Sequence, residues 1–433
     1  MHIHIIGIAG VKTAPLAKIL VDQGNKVTGS DQKKIFPPVS TILEKAGIKI
    51  NDTPITKSID LVIVGNVYQY FENTTAEFDQ VLQLGIPYIS YTDYLVQHLI
   101  KENSILVAGS YGKTTITSLL SYIFLQLKLD PTFMFGGEPI DEFFPTGIGK
   151  SEWSIIEADE NHNGLDTMTT FLSYPVKYLI LSSAKWEHKD SYPVEADNLN
   201  AYLQLVKKVP ANGLIIYNGQ DADIQKIIGF SQAKTIDYQT DKIFETKLVG
   251  AFNQQNIAAV VKLCQELKLD DTQVLTAIKN FSGIKRRLEL KYTNNNILVY
   301  DDFAQSATRV KSAIEAINYT YPGRRIRIFY EPRASFLQNK NSLLDFDQIS
   351  ELCHDFILGK IQYSKSVDKS LRTTASLWME KVGPKLKYLP IEEDLYHYIT
   401  STLLPGDILV HFSSGGLEGQ NIVDRLVTHI DHK

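Results

Sequence analysis

A chain of 433 residues, 44% hydrophobic and 21% charged, is long enough for two to four globular domains, each with its own core. Its formal net charge of −5 gives no reason to expect nucleic acid or a membrane as partner. Two cysteines, Cys264 and Cys353, far apart and without CxxC spacing, argue against a disulfide framework or a zinc site, and no apolar run reaches the ~18 residues of a membrane span.

The N-terminus enters a strand-like run directly, without the basic head and cleavage site of a signal peptide, so a cytoplasmic protein is expected. In chain order, residues 2–6 read as a buried strand, Gly7-Ile8-Ala9-Gly10 as a turn and 13–23 as a helix stopped at Gly24. A short strand at 26–28 ends in Gly29-Ser30-Asp31, and an apolar run at 61–64 ends in Gly65-Asn66. Strands alternating with helices predict a parallel α/β unit. A second unit starts near Ser104, with a buried strand at 105–108, a glycine segment, and a helix over 115–128. Strands at 153–156, 178–181 and 213–217 follow, then a helix over 253–267. After Phe281-Ser282-Gly283, strands at 298–300, 326–329, 356–358 and 408–410 alternate with helical stretches. There is no internal repeat. The expected organisation is α/β with three domains, 1–100, 101–283 and 284–433.

The segment Gly109-Ser110-Tyr111-Gly112-Lys113-Thr114-Thr115 follows a strand and opens a helix, the setting a phosphate loop requires. Glycines let backbone amides turn toward an anion, and the helix N-terminus adds positive potential. Lys113 has the reach for the β- and γ-phosphates of ATP, and the Thr114 hydroxyl suits Mg²⁺. Val107 stands where the strict G-x-x-x-x-G-K-[ST] pattern has its first glycine, so an ordinary glycine turn is the competing reading.

A second turn, Gly7-x-x-Gly10, matches the dinucleotide fingerprint weakly, because Ala9 and Ala14 replace glycines; Asp31 stands at the distance of a ribose-binding acid. A nicotinamide oxidoreductase would use this turn and leave Lys113 idle, whereas a ligase or transferase would use both. Glu157-Ala158-Asp159-Glu160 and His188 each follow a predicted strand. Carboxylates there are well placed to hold Mg²⁺ beside ATP phosphates.

Taken together, these segments resemble the Mur ligase family, whose members join amino acids or peptides to a UDP-linked muramyl substrate. The resemblance runs over nearly the whole chain in the family's motif order. Residues 109–115 resemble its GTHGKTT loop, 157–160 its EADE segment and His188 the histidine of its DH segment. Residues 250–256 resemble GxHNxxN, 285–289 RRxE and 301–304 the start of DDxxHHP. The family implies an N-terminal Rossmann-like UDP-binding domain, a central P-loop ATPase-type domain and a C-terminal Rossmann-like domain. Two branches are nearest. One adds L-alanine to UDP-N-acetylmuramate; the other, in peptidoglycan recycling, attaches the tripeptide L-alanyl-γ-D-glutamyl-meso-diaminopimelate. Residues 36–41, 286–290, Glu331-Pro332-Arg333 and Ser414-Gly415-Gly416 favour the recycling branch.

By this resemblance the muramyl carboxylate takes the γ-phosphate of ATP, and the incoming amine then displaces phosphate from the acyl phosphate. Gly109, Ser110, Gly112, Lys113, Thr114 and Thr115 would hold the phosphates, and Asn253 and Asn256 the adenine or ribose. Thr114, Glu157 and His188 would hold Mg²⁺. Arg286, Arg287 and Asp302 would bring the third domain onto ATP. Gly7, Gly10 and Asp31 would bind the UDP portion, and Arg333 a carboxylate of the peptide. A monomer or homodimer is expected. The chain also departs from the family: Tyr111, Phe252, Gln305 and Ser306 replace histidines, Ala307 a proline and Glu187 an aspartate. These losses keep open a Mur-like protein that binds nucleotide or precursor without ligating.

Overall fold

The apolar runs between amphipathic helices form three separate sheets, each dominated by parallel strands. The computed structural model describes all residues except 32–34, 36–38, 67–71, 167, 187–190, 333–342, 344–345, 362–371, 414–416 and 432–433. His188, Glu187, Arg333, Ser414-Gly415-Gly416 and part of the 36–41 segment therefore lie outside the described residues.

The first sheet is parallel throughout, in the order β2-β1-β3-β4, with β1 His2–Ile6, β2 Lys26–Ser30, β3 Leu61–Val64 and β4 Tyr88–Ser90. β1 is buried along its whole length, as a central strand covered on both faces must be. The second sheet has the order β11-β10-β9-β5-β8-β6-β7. Its strands are β5 Asn103–Ala108, β6 Thr132–Met134, β7 Thr146–Gly147, β8 Trp153–Glu157, β9 Tyr178–Leu181, β10 Leu214–Tyr217 and β11 Lys234–Asp237. β7 runs antiparallel to β6. The third sheet has the order β12-β13-β17-β14-β15-β16, with β12 Glu289–Asn294, β13 Ile297–Asp302, β14 Ile326–Glu331, β15 Asp355–Leu358, β16 Leu386–Tyr388 and β17 Ile408–Ser413. β12 is its antiparallel strand.

These elements divide into two compact units. Met1–Lys247 with Asn253–Ser282 carries the first two sheets; Leu248–Phe252 with Gly283–Lys433 carries the third. Among the described residues, no helix is long and apolar enough to cross a membrane.

The expected buried strands are all present, within a few residues at their ends. The helix expected at 115–128 starts two residues earlier, as Lys113–Gln126, because Gly112 takes a left-handed φ of 83° and the helix begins directly on the loop. β12 was not among the expected strands. It pairs with β13 through a two-residue turn at Asn295 and Asn296, whose φ values of 48° and 60° fit the hairpin turn that asparagine tolerates.

Candidate active site

In the second sheet β9, β5 and β8 are neighbours, so their C-terminal ends bring Ser182, the glycine loop and Glu157 to one edge. This is where ligands bind in open parallel sheets. Gly109 has φ +131°, and a Cβ there would lie 2.6 Å from the Ser183 amide nitrogen and 2.8 Å from its carbonyl. A Cβ on Gly112 would meet Asn256 Oδ1 at 2.7 Å. Both positions therefore demand glycine, because neighbouring atoms already occupy the space of a side chain. Asn256 and Asn253 share one helix face: Asn256 Nδ2 donates to Asn253 Oδ1 at 3.0 Å, which lays the pair against the loop.

Lys113 is buried, and its ammonium makes three hydrogen bonds, to Gly109 O at 2.7 Å and to Glu160 Oε1 and Oε2 at 2.9 and 2.8 Å. An ammonium has three donors, so all are committed. Tyr202 donates its hydroxyl to Glu160 Oε1 at 2.7 Å. Burial, reinforced by the Glu160 carboxylate, holds that phenol well above its ordinary pKa, so it remains a donor. Glu157 is buried beside the pair. Thr114 Oγ1 donates to its Oε1 at 2.9 Å, and the Gly136 amide to its Oε2 at 2.6 Å. Ser110 Oγ donates to the Lys185 carbonyl, and Ser182 Oγ to those of Tyr111 and Ala108. The serines thus bind the loop to the end of β9.

The N-terminal turn sits at the end of β1, between β2 and β3. The Gly7 and Ile8 amides donate to Ser30 O at 2.8 and 3.1 Å, and Thr13 Oγ1 donates to Gly7 O at 2.8 Å. Asp31 is buried, and its Oδ2 accepts the Ala9 amide at 2.7 Å, so one carboxylate oxygen shapes the turn. Lys12, two residues after Gly10, crosses to the acidic segment after β8. Its Nζ donates to Asp159 Oδ2 at 2.6 Å and to Glu157 O at 3.0 Å. Burial acts to lower its pKa, but Asp159 and Glu157 outweigh burial and keep it raised, so the ammonium stays charged. Lys12→Met is expected to destabilise the first unit by about 1.5–3 kcal/mol, the range for a hydrogen bond to a charged group, and Lys12→Arg to recover part of it. Urea midpoints check this; a Lys12→Met midpoint equal to wild type would refute it.

In the second unit the ends of β13, β17 and β14 carry a buried polar row. His411 Nδ1 lies 2.8 Å from Asp301 Oδ1, and its Nε2 lies 3.1 Å from Glu331 Oε2. Burial alone would lower the imidazole; the bonds to Asp301 and Glu331 overcome it and raise it to about 9. Arg286 stands with φ +59°, its Nε 3.3 Å from Asp301 Oδ2, its Nη2 donating to Ser413 O and its guanidinium 5.1 Å from the Phe303 ring centroid. Asp302 accepts the amides of Leu288 at 2.7 Å and Ala304 at 2.6 Å, and burial pushes its carboxyl up to about 6.

Sequence reasoning placed Lys113, Thr114, Glu157, Asn253 and Asn256 in one neighbourhood, and they are together. It gave no role to Tyr202, Lys12 or His411, and it read Glu160 only as part of an acidic segment suited to Mg²⁺, not as the partner of Lys113. A basic residue two after Gly10 and a second glutamate in the acidic run were the available signals for Lys12 and Glu160; Tyr202 and His411 offered none, since they meet their partners only through the fold.

Comparison with known proteins gives the family. A model described as the Mur ligase family catalytic domain matches residues 2–102, and one described as the Mur ligase middle domain matches 107–264. A UDP-N-acetylmuramate–L-alanyl-γ-D-glutamyl-meso-2,6-diaminoheptandioate ligase of Haemophilus influenzae is 30% identical over 78% of this chain and 81% of its own. The chain belongs to the Mur ligase family. This Mur ligase is thus an ATP-dependent acid–amino acid ligase by family. A UDP-N-acetylmuramate–L-alanine ligase of Agathobacter rectalis is 28% identical over 96% of each chain. The solved UDP-N-acetylmuramate–alanine ligase of Thermotoga maritima shares the fold, with a TM-score of 0.77, 99% coverage of both chains and 19% identity.

Proposed function

We infer that this Mur ligase joins L-alanyl-γ-D-glutamyl-meso-diaminopimelate to UDP-N-acetylmuramate in the cytoplasm, through an acyl phosphate formed with ATP. The observation that carries an activating ligase is the meeting of Lys113, Thr114 and Glu157 at a glycine loop. The tripeptide is supported by residues 286–290 and Glu331-Pro332, and by the Haemophilus influenzae relative that acts on it. In this reading 1–100 binds the UDP portion through Gly7, Gly10 and Asp31, and 101–283 binds ATP. The roles of Arg286, Arg287, Asp302, His188 and Arg333 rest on motif resemblance.

The chemistry sets the requirements. A carboxylate is a poor electrophile until phosphorylation gives it a leaving group, and carboxylate and γ-phosphate repel as they meet. Lys113 supplies a fixed positive charge at the transfer point. Its three N–H groups already have acceptors, so a γ-phosphate must replace at least one of them, and Glu160 holds two. Mg²⁺ fits the donors present. The Thr114 hydroxyl and Glu157 carboxylate are hard oxygens 2.9 Å apart, and Mg²⁺ is commonly held by one or two carboxylates together with substrate phosphates. When bound there it would neutralise phosphate charge. Ser182 ties the loop to the end of β9 through the Tyr111 carbonyl, and Asn256 packs against Gly112.

An amine panel tests the reading. With UDP-N-acetylmuramate, ATP and Mg²⁺, the tripeptide is expected to give the ligated product by mass, while L-alanine, L-serine and glycine give little. Product from L-alanine and none from tripeptide would transfer the chain to the alanine-adding branch. Absence of both phosphate release and product with every amine of the panel would favour a protein that binds without ligating.

A further inference from the structure

The second unit contains a cavity of about 360 Å³ lined by Arg325, Arg327, His354, Asp355, Lys385 and Lys387, with the ring of Tyr398. It lies where β14, β15 and β16 begin, whereas Asp302, Glu331 and Ser413 mark strand ends. From Arg327 to Glu331 the strand advances on the order of 13 Å at 3.3 Å per residue, so this is the opposite edge of the sheet.

Its charge is not that of a closed salt-bridge network. Four permanent cations face one lining carboxylate, Asp355. A second, Asp407, sits behind and takes Arg325 by both oxygens, at 2.6 and 2.5 Å. Two positive charges remain in excess, in a chain whose net charge is −5.

The lining residues keep donors in reserve. Arg327 is 2% exposed. Its Nε and Nη2 bind Asp355 at 3.1 and 2.5 Å, and Nη2 also binds Thr402 Oγ1 at 2.8 Å. Its Nη1 has no hydrogen-bond partner; the Asp407 carboxylate lies 4.0 Å away. A buried N–H left unsatisfied costs about 1–3 kcal/mol, so a residue that lines the cavity carries an unmet donor. His354 Nδ1 accepts the Ile326 amide at 3.2 Å, which puts the proton of a neutral ring on Nε2 and makes that atom a further donor. Lys387 Nζ donates to Tyr398 Oη at 2.6 Å and keeps two donors.

We propose that this cavity binds a small molecule through a phosphate or carboxylate oxyanion, at a site separate from the phosphate loop. Guanidinium forks and ammonium groups around a cavity of this size match an anion no larger than about a sugar phosphate. The full chain is titrated calorimetrically with pyrophosphate, and separately with citrate, in excess ADP. Pyrophosphate and citrate separate the phosphate source from the carboxylate source.

Lys387 is exposed, so Lys387→Glu is expected to fold, with an unchanged thermal midpoint. At least one anion is expected to bind wild type and to bind Lys387→Glu about tenfold or more weakly, the loss of one charge-assisted contact. Lys387 lies outside the unit that carries the loop, so this comparison reports the cavity whether or not the loop takes ADP. Crystals soaked in tungstate should show anomalous density in the cavity beside Lys387. Equal affinity in wild type and Lys387→Glu, no binding of either anion, or tungstate at the loop alone would each overturn the proposal.

Discussion

Lys113→Met is expected to lower ATP-dependent ligation by on the order of 10²–10³-fold or more, the loss seen when a preorganised charge stabiliser is removed from a transferring group. The same substitution should also weaken the fold. Glu160 is 1% exposed and takes two of the lysine's three hydrogen bonds. Breaking a buried ion pair from one side costs about 3–5 kcal/mol, because the remaining charge stays in a low-dielectric site. A loss of activity alone would therefore not separate chemistry from unfolding.

The double variant Lys113→Met/Glu160→Gln makes that separation. A neutral amide can keep the Tyr202 hydrogen bond without a buried charge, so the double variant is expected to recover most of the lost stability and none of the activity. Urea unfolding gives the first quantity and phosphate release the second. Ligation at the wild-type rate by the double variant would remove Lys113 from the reaction. A Lys113→Met single variant as stable as wild type would show that the Glu160 pair has no energetic weight.

The pattern of what could be read in advance follows from locality. Strands buried on both faces, such as Ile105–Ala108 within β5, announce themselves as unbroken apolar runs, and the glycine loop is a contiguous segment whose spacing carries its chemistry. β11 and β12 were harder, because each borders its sheet and leaves polar side chains in solvent: Lys234 and Thr235 are exposed, and β12 reads Glu-Leu-Lys-Tyr-Thr-Asn. Partnerships across long separations left no local mark. Lys12 reaches Asp159 across 147 positions, and His411 meets Asp301 across 110. In each case the residue type is visible and the partner is supplied only when strands from distant sequence become neighbours. Asp31 illustrates a finer limit: its spacing from the first turn suggested a ligand contact, but spacing does not reveal that one of its oxygens accepts the Ala9 amide.

His411→Gln is expected to destabilise the second unit by about 3–5 kcal/mol below neutral pH and by much less in alkali. His411 is fully buried between two carboxylates, and its folded pKa, about 9, lies above the ordinary value of 6.5. A group raised on folding contributes its stability in full below the unfolded pKa and loses it as pH rises through the folded one. The advantage of wild type over His411→Gln should thus be complete below pH 6.5 and decline through pH 9. Asp301 has the opposite sign. Burial works against its ionised form, but His411 outweighs burial and depresses its pKa, so its contribution is lost as pH falls below the ordinary carboxylate range. Asp302 differs again: its pKa rises to about 6 through burial, so stability falls between about pH 4 and 6 as the folded state gives up that proton. Hydrogen exchange along Ile408–Ser413, compared between wild type and variant at each pH, isolates the histidine because the Asp302 contribution largely cancels. A wild-type advantage that stayed constant from pH 6.5 to 10 would mean that His411 is held there as a neutral ring, and that the row is joined by ordinary hydrogen bonds instead of an imidazolium between two carboxylates.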